Sequence, residues 1–289
     1  MTRELVHIGD GRVLAQYGPM RLTIDVHSEK GPDSEMAAAA AEYAFSLLPR
    51  LVPAKKLFSR DSFASGRPRP DFEEPLFNQM IQAVEMVRWP DLGPMATVAG
   101  VVSESVALHS KEAGAVRAIV ENGGDLAVFL APGQTASVGI RLGVMTSEPV
   151  YKMNLRGDRQ SLWGVCSSGL GGRSLTQGLA DAALCVAASA VVADAAATAL
   201  GNACNVQSSK VRRVLAEKVE PDTDIAGLLV TESVGEMSEA EIDAAIDNAS
   251  IYAQGLVHEG VIMGAVVSVR GKVAVTGGFA DKVAPLDLI

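Results

Sequence analysis

The sequence predicts an α+β fold in which antiparallel hairpins lie beside long helices. Short apolar runs that alternate with polar residues are joined by tight turns, and Ala-rich stretches have helical periodicity. The 289 residues contain no fixed-period repeat, which argues against a solenoid or a propeller. With 48% hydrophobic and 20% charged residues, the chain has the composition of a globular protein rather than a disordered one.

The N-terminal part is predicted to form a strand meander followed by helices. Gly18 and Pro19 form a turn between two strand-like runs. Asp33 and Ser34 precede an Ala-rich run and can cap its helix, which Pro49 is expected to end. We predict strands over residues 5–8, 13–17 and 21–27, and helices over residues 36–48, 76–89 and 96–111.

The remainder of the chain is predicted to continue the sheet and to add two helices. Ser238 and Glu241 have the spacing of a capping box in front of an amphipathic helix. Arg270 and Gly271 form the turn of a C-terminal hairpin. We predict strands over residues 116–121, 126–130, 162–166, 182–188, 261–269 and 272–276, a strand over 137–144 that continues the same sheet, and a helix from 189 to about 204.

The charge of the chain excludes several classes of partner. A net charge of −9 and an aromatic content of 4% argue against nucleic acid, which needs a basic surface and stacking rings. The same acidity argues against an anionic membrane surface. Small molecules and proteins, including a second copy of this chain, remain as partners.

Several features predict a cytoplasmic protein without a membrane span. Residues 1–11 include three charged side chains and have no apolar core of a secretory signal. The most apolar stretch, residues 182–193, is shorter than the roughly 20 residues that cross a bilayer. Cys166, Cys185 and Cys204 lack the short spacings of a zinc or redox motif, so they are predicted to be reduced thiols.

A Gly-rich loop spans Ser167-Ser168-Gly169-Leu170-Gly171-Gly172-Arg173-Ser174. Its amides and hydroxyls can donate to a phosphate, and Arg173 can supply the opposite charge. The loop has neither the Walker A pattern nor the G-x-G-x-x-G pattern. A flexible surface turn is an equally good interpretation of these residues alone.

Asp194 and Thr198 are four residues apart on the predicted helix, so their side chains project from the same face. A carboxylate and a hydroxyl suit Mg²⁺, which keeps several waters and takes ligands from phosphates. A solvated Asp beside a Thr bonded to the backbone is the alternative interpretation.

Asn122-Gly123-Gly124-Asp125 is predicted first as a hairpin turn, because its residues tolerate positive φ. Asp125 could also bind the polar edge of a ligand.

Four segments in this order resemble the ApbE-like superfamily, whose best-known members are FAD:protein FMN transferases, and in particular its uncharacterised cytoplasmic branch. Residues 93–100, with Glu104 beyond them, are similar to the transferases' Gly-(x)3-acid segment, and residues 119–125 are similar to their GGD strand and turn. Residues 167–169 resemble their small-residue loop. Residues 193–199 resemble the D-x-x-x-T helix that holds magnesium.

The resemblance implies one ApbE-like domain over residues 1–289, built from two related halves with antiparallel sheets and packed helices. It also implies FAD or a related phosphate-bearing ligand, and Mg²⁺. Asp125 is the expected catalytic residue, and Asp194 and Thr198 are the expected metal ligands. The expected ligand-binding residues are Met95, Thr97, Gly123, Gly124, Asp125, Ser167, Ser168, Gly169, Gly172, Arg173 and Ser174.

One segment of the transferases is missing from this chain. Residues 173–178, Arg-Ser-Leu-Thr-Gln-Gly, stand where the family has H-x-x-D-P-x-x-G. The leading hypothesis is a protein that binds a flavin or another nucleotide-like phosphate ligand and transfers part of it. A non-catalytic binding or partner protein is one alternative. Thiol chemistry through Cys166 in sulfur assimilation is another.

Overall fold

The computed structural model describes residues 2–59, 72–143, 151–172, 174–278 and 283–285. The described residues form antiparallel strands and seven α-helices, which confirms the predicted α+β class. The strands are β1 (Arg3–Gly9), β2 (Arg12–Tyr17), β3 (Met20–Ser28), β4 (Gly31–Pro32), β5 (Arg117–Asn122), β6 (Asp125–Leu130), β7 (Thr135–Ile140), β8 (Tyr151–Arg156), β9 (Leu162–Ser168), β10 (Ala182–Ala187), β11 (Val211–Leu215), β12 (Leu229–Val234), β13 (Gly264–Val269), β14 (Lys272–Gly277) and β15 (Val283–Pro285).

A ten-stranded sheet forms the centre of the fold, in the order β1-β2-β3-β5-β6-β9-β10-β13-β14, with β4 paired to β3. Every strand pair in it is antiparallel. The alternation of buried side chains divides the core into two clusters, one on each face of the sheet. The predicted N-terminal meander and the hairpins around residues 123–124 and 270–271 are confirmed.

Helices cover one face of the large sheet. Of these, α1 packs on β2 and β3, α4 on β5 and β6, α5 on β9 and β10, and α7 on β13 and β14. A 3₁₀ turn, Pro94–Thr97, leads directly into α4. The α-helices are α1 (Ser34–Leu51), α2 (Ala54–Leu57), α3 (Pro75–Val87), α4 (Val98–Glu112), α5 (Ala190–Ala203), α6 (Ala216–Val219) and α7 (Glu239–His258).

A three-stranded sheet, in the order β15-β8-β7, lies on the opposite face. The prediction that residues 137–144 continue the large sheet is therefore wrong, because β7 pairs with β8 in this separate sheet. Alternate residues of β7 are buried, as in any strand with one face against a core. This alternation does not show which strand pairs with β7, so the sequence could not identify its sheet. Residue 144 lies outside the described residues. Strands β11 and β12 form a third, two-stranded sheet.

Helix α1 begins as predicted but extends further than predicted. The Asp33 side chain accepts a hydrogen bond from Met36 N at 2.9 Å. Pro49 does not end the helix, because the next backbone bond, from Val52 N to Leu48 O, still forms. A proline lacks the backbone N–H that would donate to the preceding turn. Burial of Leu51 in the last turn of the helix offsets the loss of that hydrogen bond.

Helix α5 is buried on all sides, and Thr198 is the only one of its 14 residues that is not buried. Glycines on the neighbouring segments permit this packing. A Cβ at Gly100 of α4 would lie 2.4 Å from Ala190 O, and one at Gly164 of β9 would lie 2.4 Å from Ala190 Cα. The helix backbone therefore contacts the neighbouring backbones directly.

In the part of the chain that the structure describes, no helix combines the length and the apolar character needed to cross a membrane.

The close packing of α4 on α5 makes Gly100→Ala destabilising. The new methyl group would meet Ala190 O and Asp194 Cβ, at 2.4 and 2.8 Å. We expect the free energy of unfolding to fall by about 1–3 kcal/mol, as for other overpacked cores, although alanine has the higher helix propensity. Urea denaturation measures the change.

Gly255→Ala is the matched control, because Gly255 also lies in a helix and a Cβ there has nothing within 4 Å. It should raise the unfolding free energy by up to about 1 kcal/mol. Equal effects of the two substitutions would contradict the packing argument.

The capping box at the start of α7 predicts a pH-dependent stability. Glu241 accepts hydrogen bonds from Ser208 Oγ, from the Ser238 backbone and hydroxyl, and from Lys210 Nζ, and these lower its pKa to about 2. A lowered folded-state pKa stabilises the protein above the ordinary pKa of a glutamate. That contribution disappears as the pH falls through the interval between 4.5 and about 2.

Glu241→Gln should therefore lower the stability near neutral pH, and the difference from the parent should shrink as the pH approaches about 2. Thermal melts over this pH range measure it. Glu239→Gln, in the same turn but outside the capping box, is the control. A difference from the parent that does not change with pH would show that Glu241 acts without its charge.

Candidate functional site

A cleft of about 1110 Å³ opens where the β5–β6 turn, the end of β9, the 3₁₀ turn and α5 meet. Most of the residues expected from the sequence line this cleft, although they come from four separate segments. Those that line it are Met95, Gly123, Gly124, Asp125, Ser167, Ser168, Gly169, Gly172, Ser174, Asp194 and Thr198.

The two remaining expected ligand-binding residues are Thr97 and Arg173. Thr97 is fully buried, and its hydroxyl donates to Pro94 O at 2.8 Å, so it holds the 3₁₀ turn together instead of lining the cleft. Arg173 lies outside the described residues.

The Gly123-Gly124 turn connects two of the predicted motifs. Both glycines have positive φ, 69° and 108°, as a tight two-residue hairpin turn requires. At the start of β6, Asp125 Oδ1 accepts a hydrogen bond from Ser167 N at 3.2 Å. From α4, Ser103 Oγ donates to Asp125 O at 2.8 Å. The turn, the Gly-rich loop and α4 are thus held together at Asp125.

The Gly-rich loop leaves β9 through a conformation that requires glycine. Gly169 has a φ of 146°, and a Cβ there would lie 2.7 Å from Asp181 O. Leu170 N donates to Ala180 O at 2.8 Å, and Ser167 Oγ donates to Gly124 O at 3.4 Å. These contacts fix residues 167–170 along the cleft, so this part of the loop is not a free surface turn.

Asp194 projects from α5 into the interior of the cleft and is only 6% exposed. Its Oδ2 accepts a hydrogen bond from Gly100 N at 2.8 Å. Burial, and next the charge of Asp125, raise the pKa of Asp194 well above its usual range. Two carboxylates that repel each other in a partly buried cleft favour a bound cation.

The residues present fit Mg²⁺ better than a metal that needs several protein ligands. Within the described ranges, no group of three or more His, Cys, Asp or Glu side chains is placed to hold a metal. Asp194 and Thr198, one helical turn apart, offer a carboxylate and a hydroxyl to the same cleft. Mg²⁺ commonly uses one or two carboxylates and completes its shell with waters and phosphate oxygens.

The lining of the cleft is strongly acidic. Among the described lining residues, Arg141 is the only lysine, arginine or histidine. A diphosphate entering alone would be repelled, and a divalent cation would remove much of that repulsion. The lining carboxylates are Asp91, Glu121, Asp125, Asp181, Asp194, Glu220 and Asp224.

Several residues that line or support the cleft were not among the site residues predicted from the sequence. Asn202 follows Thr198 by one further turn of α5, so the four-residue spacing of Asp194 and Thr198 could have revealed it. Glu104, which belongs to a recognised segment, supports the N-terminus of α5, where its Oε2 accepts from Ser189 Oγ at 2.8 Å and Ala190 N at 2.5 Å. The loop of Glu220, Thr223, Asp224 and Ile225 carried no local signal.

Cys166 lies behind the cleft and not in it. The residue is fully buried, and its Sγ donates to Ala190 O at 3.4 Å. Burial, followed by the charges of Asp125 and Asp194, raises the pKa of the thiol well above its usual range. A reactive thiolate needs exposure and a positive environment, so this geometry does not support thiol chemistry.

Three solved structures share this fold at low sequence identity. Flavinyl transferase ApbE from Pseudomonas stutzeri has a TM-score of 0.50 and 14% identity, with 97% of each chain covered. Flavin transferase ApbE from Vibrio cholerae has a TM-score of 0.52 and 10% identity over 97% of this chain and 100% of the other. The ApbE protein of Thermotoga maritima has a TM-score of 0.51 and 12% identity over 97% and 99%. These similarities establish the fold.

Archaeal relatives are more similar in sequence over a shorter segment. A UPF0280 protein of Methanothrix thermoacetophila is 38% identical over 141 residues, which is 48% of this chain and 56% of that protein. A UPF0280 protein of Methanosarcina acetivorans is 40% identical over 141 residues, or 48% and 53%. The chain therefore matches about half the length of these curated relatives.

A family model described as "AbpE bacteria" matches residues 3–275. Together with the shared fold, this match confirms the resemblance to the ApbE-like superfamily that the sequence motifs indicated. Since the family model matches nearly the whole sequence, the chain belongs to the AbpE bacteria family.

Proposed function

We propose that this protein binds FAD or a related nucleotide-like diphosphate together with Mg²⁺ in the cleft and transfers part of that ligand. The observation that carries the proposal is the buried Asp194 carboxylate, held near Asp125 in a cleft whose described charged residues are nearly all acidic. The names of the solved structures, flavinyl and flavin transferases, support a flavin nucleotide as the class of ligand. We place the protein in the cytoplasm, which its three unpaired cysteines support.

Each group has a distinct role in this proposal. Asp194 and Thr198 would hold Mg²⁺, which when bound neutralises phosphate charge. Ser168, Ser174 and the glycines Gly169 and Gly172 line the cleft, and their hydroxyls and backbone N–H groups would bind phosphate oxygens. Gly124 permits the close approach of a ligand to the turn, because it has no side chain there.

The proposed transfer is a displacement at phosphorus. The oxygen of an acceptor hydroxyl, or of water, forms a new bond to one phosphorus of the diphosphate, and the P–O bond of the anhydride breaks. The nucleoside monophosphate leaves with the electron pair of that bond. Asp125 would accept the proton of the attacking hydroxyl, because its carboxylate faces the cleft and is oriented by Ser167 N.

A ligand-binding protein without turnover is the second candidate. Residues 173–178 lack the histidine and the acid of the transferases' segment. Gln177 lines the cleft there, and its backbone N–H donates to Asn202 Oδ1 at 2.9 Å. A glutamine cannot transfer a proton near neutral pH, and this favours binding that is not followed by chemistry.

Replacing Asp194 tests the metal site. Asp194→Asn keeps an oxygen that can accept from Gly100 N but removes the charge that Mg²⁺ needs. We expect the variant to fold and to lose most of the Mg²⁺-dependent gain in affinity for ADP, about tenfold or more. Isothermal calorimetry with ADP, with and without Mg²⁺, measures this gain.

Thr198→Ser, which keeps the hydroxyl, is the matched control and should retain the gain. An equal Mg²⁺-dependent gain in the parent and in Asp194→Asn would remove Asp194 from the metal site.

Incubation with FAD and Mg²⁺ tests the transfer step. With water as the acceptor, the proposed displacement releases AMP and FMN in equal amounts. We expect AMP release that stops when Mg²⁺ is chelated and that falls by about 10² to 10⁴ in Asp125→Asn, the usual contribution of a general base. Chromatography of the products measures both.

Binding of FAD by the parent with no release of AMP would reject the hydrolytic transfer and favour the second candidate. Release that is unaffected by Asp125→Asn would assign the proton transfer to another group.

A further inference from the structure

Asn122, the last residue of β5, has a buried side chain that the structure leaves partly unpaired. It is 5% exposed and lines the cleft. Its Oδ1 has no hydrogen-bond partner among the described residues. Asn122 lies directly opposite Asp125 across the hairpin. Val120 and Ala127, two residues away on the same strands, belong to the core cluster on the face that the helices cover, so both side chains lie on that face. The proposed transfer gives this residue no role.

Asn202, which lines the same cleft, is a buried asparagine whose side-chain oxygen has hydrogen-bond partners. It is 7% exposed, and its Oδ1 accepts hydrogen bonds from Gln177 N at 2.9 Å and Thr176 Oγ1 at 3.4 Å. A buried acceptor without a partner destabilises the folded state. Because the Oδ1 of Asn122 is buried and unpaired in the described protein, we expect its donor to come from a bound molecule.

The neighbour of Asn122 on its other side is apolar. On strand β3, Leu22 lies directly opposite Asn122, and Leu22 is fully buried. The cleft that Asn122 lines also contains a set of apolar residues, Met20, Leu48, Leu51, Met95, Val98 and Val102. Apolar lining next to a hydrogen-bond acceptor suits a flat ring that carries one or more N–H groups.

We propose that Asn122 is a specificity residue, whose Oδ1 accepts a hydrogen bond from an N–H or NH₂ group of a planar heteroaromatic ring of the ligand. This inference rests on the proposed function, since it names the group that the nucleotide-like ligand places beside the Gly123-Gly124 turn. Phosphate oxygens bind elsewhere, because an ionised phosphate offers only acceptors and cannot pair with Oδ1. The ring and the phosphates thus occupy adjoining parts of one cleft on either side of Asp125.

The adenine and the isoalloxazine of FAD both offer such an N–H, and separate probes distinguish them. Binding of FAD, FMN and ADP, each with Mg²⁺, is measured by calorimetry for the parent and for Asn122→Leu. We expect Asn122→Leu to lower the affinity for FAD by about tenfold, because the ring loses its acceptor. If isoalloxazine is the ring beside Asn122, the affinity for FMN falls as well. If adenine is that ring, the affinity for ADP falls instead.

The thermal stability without ligand separates this role from a structural one. Asn122→Leu replaces an unpaired buried polar group by an apolar group of similar size, so its melting temperature should equal or exceed that of the parent. Asn202→Leu is the matched control and should melt at a lower temperature, because it leaves Gln177 N without its acceptor.

Two results would overturn the inference while leaving the proposed function intact. One is binding of FAD, FMN and ADP by Asn122→Leu within about twofold of the parent. The other is a melting temperature of Asn122→Leu that falls as far as that of Asn202→Leu. Failure of the parent itself to bind any of the three probes would instead reject the proposed function, and with it this inference.

Discussion

The rest of this structure depends on the close packing of one helix, α5, against its neighbours. An Ala-rich helix that is buried on all sides can be accommodated only where the neighbouring backbones approach it directly, and Gly100 and Gly164 permit this. At Gly178 the approach is closer still, since a Cβ there would lie 1.7 Å from Gly201 O. Glu104 holds the first turn of the helix from α4. Because α5 cannot shift without these contacts breaking, Asp194 is held at a fixed depth in the cleft.

The packing that positions Asp194 also determines its electrostatics. Removal from water, and the neighbouring Asp125, disfavour its charged form. In an isolated fold this arrangement is unfavourable, and a divalent cation shared with a phosphate ligand would relieve it. Asn122 is likewise a buried polar group that the described protein does not satisfy, but it carries no charge, and its Oδ1 has no partner. Both residues are unfavourable in the protein alone, and the proposed ligand would complete their interactions.

The local elements were largely predictable from the sequence because their signals are local. The Asp33 cap, the Ser238 and Glu241 capping box, and the Gly123-Gly124 turn each depend on residues within a few positions of one another. Where the sequence prediction was wrong, a distant partner decided the outcome. Pro49 stays inside α1 because the last turn is packed on the core, and β7 leaves the large sheet because β8 pairs with it.

For the site, the sequence by itself determined the residue types, the one-turn spacing of Asp194 and Thr198, and, through the order of its motifs, the superfamily. Only the tertiary structure decided that four separate segments meet in one cleft, that Thr97 turns away from it, and that the buried Oδ1 of Asn122 is left without a partner in the described part of the chain. The physical reason is that spacing along a helix or a turn is set by backbone geometry. Burial and hydrogen-bond partners, in contrast, are set by contacts between residues far apart in the chain.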